Sequence, residues 1–104
     1  MPPAGQLIPT LSSKEALILG LLGRSKEMYG LELVAASNGG LKRGTIYVTL
    51  GRMEKKGYVV SRVEDETPAN GGLPRRLYAA TAHGRQVFTA LSAAGRRLTP
   101  GFAR

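Results

Sequence analysis

Apolar residues recur along this chain with two periods, and the change of period separates predicted helices from predicted strands. Residues 12–23 open with Ser-Ser-Lys-Glu, an S-x-x-E capping box with Ser12 as N-cap, and continue as a nearly unbroken apolar run. A helix that is apolar on almost every side must be covered from more than one direction. The pattern therefore predicts a first helix to about Gly23, whose second cover would be another copy of the chain.

Two more helices are predicted in the middle of the chain. A polar turn leads to a short helix at residues 29–37, and Asn38-Gly39-Gly40 ends it because these residue types tolerate left-handed backbone. The next helix is predicted from about Gly44 to Gly57, with one apolar stripe at i, i+4 and i+7 formed by Ile46, Leu50 and Met53. Two short helices joined by a Gly-containing turn, the second of them basic, form a helix-turn-helix pattern.

A β-hairpin is predicted directly after the basic helix. Residues 58–64 are β-branched and aromatic, residues 65–74 form a loop with Asn-Gly-Gly at its turn, and residues 75–80 return as a second strand. A hairpin in this place is the wing of a winged helix. Thr81 then caps a last helix at residues 82–98.

The last helix has an apolar stripe without a sequence-local partner. It is expected both to fold back on the first helix and to pair with a second subunit; in the alternative reading it only completes its own core. We therefore predict a homodimer, and the residues expected at its interface are Leu19, Leu22, Val87, Phe88, Leu91 and Leu98.

These elements predict a mainly α fold with a small β-hairpin, in the α+β class. Residues 1–10 are expected to be a flexible N-terminal tail, residues 11–80 a winged helix-turn-helix DNA-binding domain, and residues 81–104 a C-terminal dimerisation helix and tail. At 104 residues, all three parts belong to one structural domain.

The net charge of the chain limits the classes of binding partner that it is expected to have. Fifteen Lys and Arg against seven Asp and Glu give a net charge of +8, which predicts a polyanionic partner, either nucleic acid or an anionic membrane surface. With no cysteine and a single histidine, His83, no metal site, cofactor or enzymatic nucleophile–base pair is predicted, and the acidic run at residues 64–66 is expected to keep the wing soluble. The longest apolar run, residues 16–23, is too short to span a bilayer, so a cytoplasmic, nucleoid-associated protein is expected.

The exposed face of the basic helix is the candidate DNA-binding surface, because short side chains allow close approach while Arg and Lys reach phosphates and guanine edges. A basic face is also common for solubility alone, and a winged helix used only for protein–protein contact is the alternative function. Thr45 is either a phosphate ligand or only a helix-start residue, Thr49 lies nearer the core edge, and the two wing arginines alternate across a strand. The predicted DNA-binding residues are Lys42, Arg43, Thr45, Tyr47, Val48, Thr49, Arg52, Arg75 and Arg76.

Three motifs, in matching order and spacing, resemble the PadR family of bacterial transcriptional regulators. Residues 29–33 (YGLEL) resemble the family's H-G-Y-E-L, and residues 44–59 resemble G-T-[IVL]-Y-P-x-L-x-x-L-E-x-x-G-L-[IV]. Residues 72–85 resemble the wing and its exit, G-R-P-R-K-x-Y-x-L-T-x-x-G-R. The chain departs from the pattern at Tyr29, Leu31, Val48 and Leu73.

The resemblance implies a homodimeric winged helix-turn-helix protein that binds operator DNA, most often as a repressor. It implies dimers held by the C-terminal helix against the partner's N-terminal helix, and it favours a phosphate contact for Tyr47. Some family members bind aromatic or multidrug-like effectors at the dimer centre. This chain has neither Trp nor a long C-terminal helix with which to build a wide aromatic pocket.

Overall fold

The computed structural model describes residues 11–64 and 75–98, which fold into four helices and a three-stranded antiparallel sheet. The predicted tails and the wing turn, residues 65–74, lie outside the described residues. The arrangement confirms the predicted α+β winged-helix class. In chain order the elements are α1 Ser13–Leu22, β1 Met28–Tyr29, α2 Gly30–Ala36, α3 Ile46–Lys55, β2 Val59–Glu64, β3 Arg75–Ala80 and α4 Ala82–Leu98.

Local capping chemistry sets most helix ends as predicted. The Glu15 amide donates to Ser12 Oγ at 3.1 Å and the Ser12 amide donates back to Glu15 at 2.9 Å, which completes the capping box of α1. The Gly84 amide donates to Thr81 Oγ1 at 2.9 Å at the start of α4. Asn38 closes α2 with a φ of 53°, in the left-handed region that Asn tolerates.

Helix α3 begins two residues later than the sequence pattern predicts. Thr45 has a φ of −126° and is the N-cap, so the first helical residue is Ile46 and not Gly44. The amides of Thr45 and Ile46 both donate to the Lys42 carbonyl, at 3.2 and 3.0 Å. This tight turn occupies the residues that were expected to form the first helical turn.

A two-residue strand was not predicted. In β1, Met28 pairs with Tyr78 and Tyr29 with Leu77, so β3 is the central strand and the sheet order is β1-β3-β2. Two residues are too few for a visible alternation of apolar and polar side chains. The pairing fixes the start of α2 against the base of the wing.

The core lies between the helices and one face of the sheet, and α1 runs through it. The largest fully buried side chains of the core are Ile18, Leu22, Leu33, Ile46, Leu50 and Met53. Leu17 and Leu21 are half-buried around it. This pattern confirms that α1 is covered on several sides.

Three residues predicted at a dimer interface belong instead to the protomer's own core. Leu22 is 0% exposed, and Leu19 and Val87 are nearly as deeply buried, because α4 folds back on α1 and closes over them. Phe88 and Leu91 keep part of their surface exposed. Leu98 ends α4, and its side chain lies outside the described residues.

The joint between α4 and the end of α3 is unusually close. A Cβ placed on Gly84 would lie 2.2 Å from the Tyr58 carbonyl oxygen, so only glycine fits there. Thr81 Oγ1 donates to the Gly57 carbonyl at 2.6 Å, and the Thr81 amide donates to the Tyr58 carbonyl at 3.0 Å. These contacts tie the turn after α3 to the first turn of α4.

Candidate nucleic-acid interface

Helix α3 has one buried and one exposed face. Ile46, Leu50 and Met53 are at most 1% exposed, as their spacing predicts. On the other face Val48 is 61% and Tyr47 51% exposed. The residues exposed beside them are Arg52 and Lys55, with Gly51 half-buried between them.

Thr49, predicted among the DNA-binding residues, lies on the buried side. It is 8% exposed, and its hydroxyl donates to the Thr45 carbonyl at 3.2 Å within the helix. The side chain packs at the edge of the core because residue 49 sits next to the apolar stripe. It therefore adds no exposed group to this surface.

The entry to α3 is exposed and cationic. Lys42, Arg43 and Thr45 are all exposed, and the Thr45 side chain makes no capping hydrogen bond although the residue is the N-cap. The first-turn amides of a helix and its dipole favour an anion at this end. The turn before α3 therefore adds two cations and a hydroxyl to the exposed face of the helix.

The cations of this surface are exposed, and the charge of Arg52 is near enough to Glu15 to lower the pKa of that carboxyl. Within residues 11–64 and 75–98, none of Lys42, Arg43, Arg52 and Lys55 forms an ion pair. The neighbouring Lys56 differs, since its Nζ lies 2.9 Å from the buried Glu15 carboxylate. We call the surface formed by four cations and two small residues the α3 cationic face; it consists of Lys42, Arg43, Arg52 and Lys55, with Val48 and Gly51 between them.

Glu15 is a buried acid in the first turn of α1. Burial raises the pKa of its carboxyl, but the Ser12 amide and the Lys56 ammonium outweigh burial, so the pKa is lowered below its usual value. The carboxylate therefore stays charged, and it joins the start of α1 to the end of α3.

A groove of about 330 Å³ separates the start of α2 from the base of the wing. Tyr47 forms part of it and packs directly on Gly30, where a Cβ would lie 2.6 Å from the ring. The absent side chain at Gly30 thus leaves space for the Tyr47 ring of α3 to pack on the start of α2. The residues that line the groove are Tyr29, Leu31, Glu32, Tyr47, Arg75 and Arg76.

The two wing arginines occupy opposite faces of β3, as predicted for consecutive strand residues. The Arg75 guanidinium lies 3.9 Å from the centre of the Tyr29 ring, and it donates to the Tyr29 hydroxyl at 3.1 Å. That hydroxyl donates to the Glu64 carboxylate, which raises the pKa of Tyr29. Arg76 donates to the Ser61 hydroxyl at 3.0 Å. Sequence reasoning missed Tyr29 and Glu64, which lie 35 residues apart in the chain.

The described residues offer little support for other classes of site. No helix among them is long and apolar enough to cross a membrane. In the same part of the chain, no group of three or more His, Cys, Asp or Glu side chains is arranged to hold a metal ion.

Three helices, of which the third is basic and exposed, are followed by a β-hairpin, and this arrangement defines a winged helix-turn-helix protein. Residues 18–90 match the model of the Transcriptional regulator PadR-like family. The match covers most of the chain, and the chain belongs to this family, whose members are transcriptional regulators and not enzymes. No curated protein matches the chain significantly.

Solved structures give the same fold. A PadR family regulator from Clostridium difficile R20291 is 27% identical with a TM-score of 0.73, and the alignment covers 89% of this chain and 100% of that one. A PadR family regulator from Eggerthella lenta DSM 2243 is 26% identical with a TM-score of 0.70, covering 86% and 77%. Bacillus subtilis PadR in complex with operator DNA shares the fold at 22% identity and a TM-score of 0.68, covering 79% of this chain and 48% of that chain.

Proposed function

We propose that this chain is a repressor that binds operator DNA as a homodimer, with α3 of each subunit in the major groove. The observation that carries the proposal is the α3 cationic face, whose exposed cations form no ion pair among the described residues. Such cations replace the counterions of the DNA phosphates, which is the main source of affinity for DNA. The same fold is bound to operator DNA in the structure of Bacillus subtilis PadR.

The shape of α3 supports insertion into the major groove. Gly51 has open space where a Cβ would be, and Val48 is exposed beside it, so the helix backbone can approach the bases closely. Val48 is suited to contact a thymine methyl group. Lys42 and Arg43 precede the helix, where they are suited to contact phosphates on the groove wall.

A homodimer is supported by the partly exposed apolar residues of α4. Phe88 and Leu91 pack against the core with one side only, and Leu17 and Leu21 of α1 are half-buried as well. Pairing of α1 and α4 with a second copy would cover these side chains. A two-fold dimer would present two α3 helices to DNA, which favours an inverted-repeat operator.

Selection of bound sequences from a random duplex pool tests the proposal directly. We expect an inverted repeat whose half-sites lie about 10 base pairs apart, one helical turn, or slightly more. Selected sequences without a dyad would contradict the homodimer on DNA. Absence of any salt-dependent duplex binding would favour the alternative, a winged helix used for protein–protein contact.

Leu91→Asp tests the dimer in solution. It places a carboxylate in the proposed interface, so we expect monomers or insoluble protein by light scattering. Gln86→Glu adds one negative charge at an exposed position of the same helix and should leave the dimer intact. An unmodified chain that is monomeric at about tens of micromolar would rule out a stable dimer.

A further inference from the structure

We propose that the two wing arginines have different tasks: Arg76 contacts the DNA backbone, whereas Arg75 is held by Tyr29 and Glu64 and positions the wing. This division rests on the proposed function, because it assigns the wing's part in DNA binding to one side chain. It also gives Tyr29 a role as a positioning residue.

The strand register separates the two guanidinium groups. Arg75 is paired with Glu64 across the hairpin, and directly opposed residues share one face of a sheet, here the outer face that also carries Tyr29. Arg76 lies on the other face together with Ser61, the face that meets the helices. On this second face the Ser61 hydroxyl also donates to Glu54 of α3.

Arg75 is engaged on several sides. Its guanidinium stacks on the Tyr29 ring at 3.9 Å, donates to the Tyr29 hydroxyl at 3.1 Å, and lies 4.0 Å from the Glu64 carboxylate. To reach a phosphate it would have to leave both the ring and its counter-charge. Since Tyr29 is also the N-cap of α2, these contacts join the helix-turn-helix to both strands of the wing.

Arg76 is exposed and keeps its charge available. Its one hydrogen bond within the described residues goes to the neutral Ser61 hydroxyl at 3.0 Å, and that hydroxyl donates to Glu54 of α3 at 2.6 Å. Both arginines line the groove beside Tyr47, but Arg76 is linked through Ser61 to Glu54 of α3, whereas Arg75 is held by Tyr29 and Glu64. Arg76 forms no ion pair within the described residues, so it is the wing arginine available to a phosphate beside α3.

A matched pair of variants tests the DNA part. Arg75→Ala and Arg76→Ala remove the same charge from adjacent residues, so their long-range effects on DNA should be equal. In binding titrations against salt on the selected operator, we expect Arg76→Ala to weaken binding and reduce the slope of log K by about one. Arg75→Ala should leave that slope unchanged, and Arg76→Lys should retain it.

Thermal unfolding of the DNA-free protein tests the positioning part. Tyr29→Phe and Arg75→Ala should each lower Tm, and the double variant should lose less than the sum, because the side chains share one interaction. Tyr29→Phe with Arg76→Ala should be additive. If Arg75→Ala fails to fold, Arg75→Lys keeps the charge without the planar stacking, and it should show the wild-type slope with a lower Tm.

Two results would overturn the division while leaving the proposed function in place. One is an equal loss of salt slope for Arg75→Ala and Arg76→Ala. The other is additivity of Tyr29→Phe and Arg75→Ala in Tm. An unmodified chain that binds no duplex DNA would instead overturn the proposed function, and the assignment of Arg76 with it.

Discussion

The cations of the α3 cationic face and those held in ion pairs lie in different regions of the molecule. In the α3 cationic face, four cations have no ion-pair partner within the described residues. Three other cations each pair with an acid: Lys56 with Glu15, Arg62 with Glu27 and Arg75 with Glu64. The net charge of the chain counts both kinds alike. The difference teaches that net charge overstates the cations available to a polyanion, because some of them are already paired with an acid.

The sharpest test of this comparison uses two adjacent lysines. Lys56→Ala should lower the free energy of unfolding by about 2 kcal/mol, because the buried Glu15 carboxylate loses its ammonium; partial exposure of Lys56 keeps the loss below that of a fully buried pair. Lys55→Ala should change stability by less than about 0.5 kcal/mol. Urea unfolding of both variants measures the difference, and equal losses would remove the distinction between the two cations.

Arg52→Ala tests the α3 cationic face itself. We expect a phosphate contact, since the first turn of α3 is set deepest in the groove; binding should then weaken by about 1 kcal/mol on operator and scrambled DNA alike, and the salt slope should fall by about one. Titrations on both DNAs at two salt concentrations decide this. A loss of about 1–3 kcal/mol confined to the operator would show instead that Arg52 reads a base.

A smaller effect is expected from pH. A carboxyl whose pKa is lower in the folded than in the unfolded chain stabilises the fold above the unfolded value, and this contribution is lost as pH falls through the folded value. Glu15, with its lowered pKa, should therefore contribute fully above about pH 4.5 and progressively less below it. Tm of wild type and Lys56→Ala measured against pH should converge on acidification, and parallel curves would contradict the assignment.

The smallest effect is expected for Arg62→Ala. Its bidentate pair with Glu27, at 2.7 and 2.8 Å, is exposed to solvent, and exposed pairs contribute little to stability. Unfolding curves should be indistinguishable from wild type, and the salt slope of DNA binding should be unchanged. A slope reduced as much as by Lys55→Ala would place paired cations on the DNA-facing surface after all.

The sequence predicts features of this fold that depend on neighbouring residues. Ser12 and Glu15 are three residues apart, and their capping box forms as the motif indicates. Asn38 and Gly57 end helices with positive φ, and Ile46, Leu50 and Met53 form one buried stripe. In each case the determining interaction lies within about one or two helical turns, so a local pattern records it.

Features set by distant residues could not be read from the chain. Lys56 meets Glu15 across 41 residues and Arg62 meets Glu27 across 35, and each cation looks like any other surface Lys or Arg in the sequence. The burial of Leu22, expected at an interface, depends on how α4 closes over α1, which periodicity alone does not specify. In the candidate site, the exposed face of α3 was predictable from the sequence. Whether each of its cations forms an ion pair was not.

The close joint at Gly84 couples the start of α4 directly to the turn that follows α3. Thr81 is hydrogen-bonded to the Gly57 and Tyr58 carbonyls, and there is no room for a side chain at Gly84. The start of α4 and the turn after α3 are therefore in direct contact. In a dimer joined through α4, a change in the angle between the two copies of that helix would also change the angle between the two copies of α3. In such a dimer, the spacing of half-sites that the protein binds would be set at the subunit interface, far from the DNA.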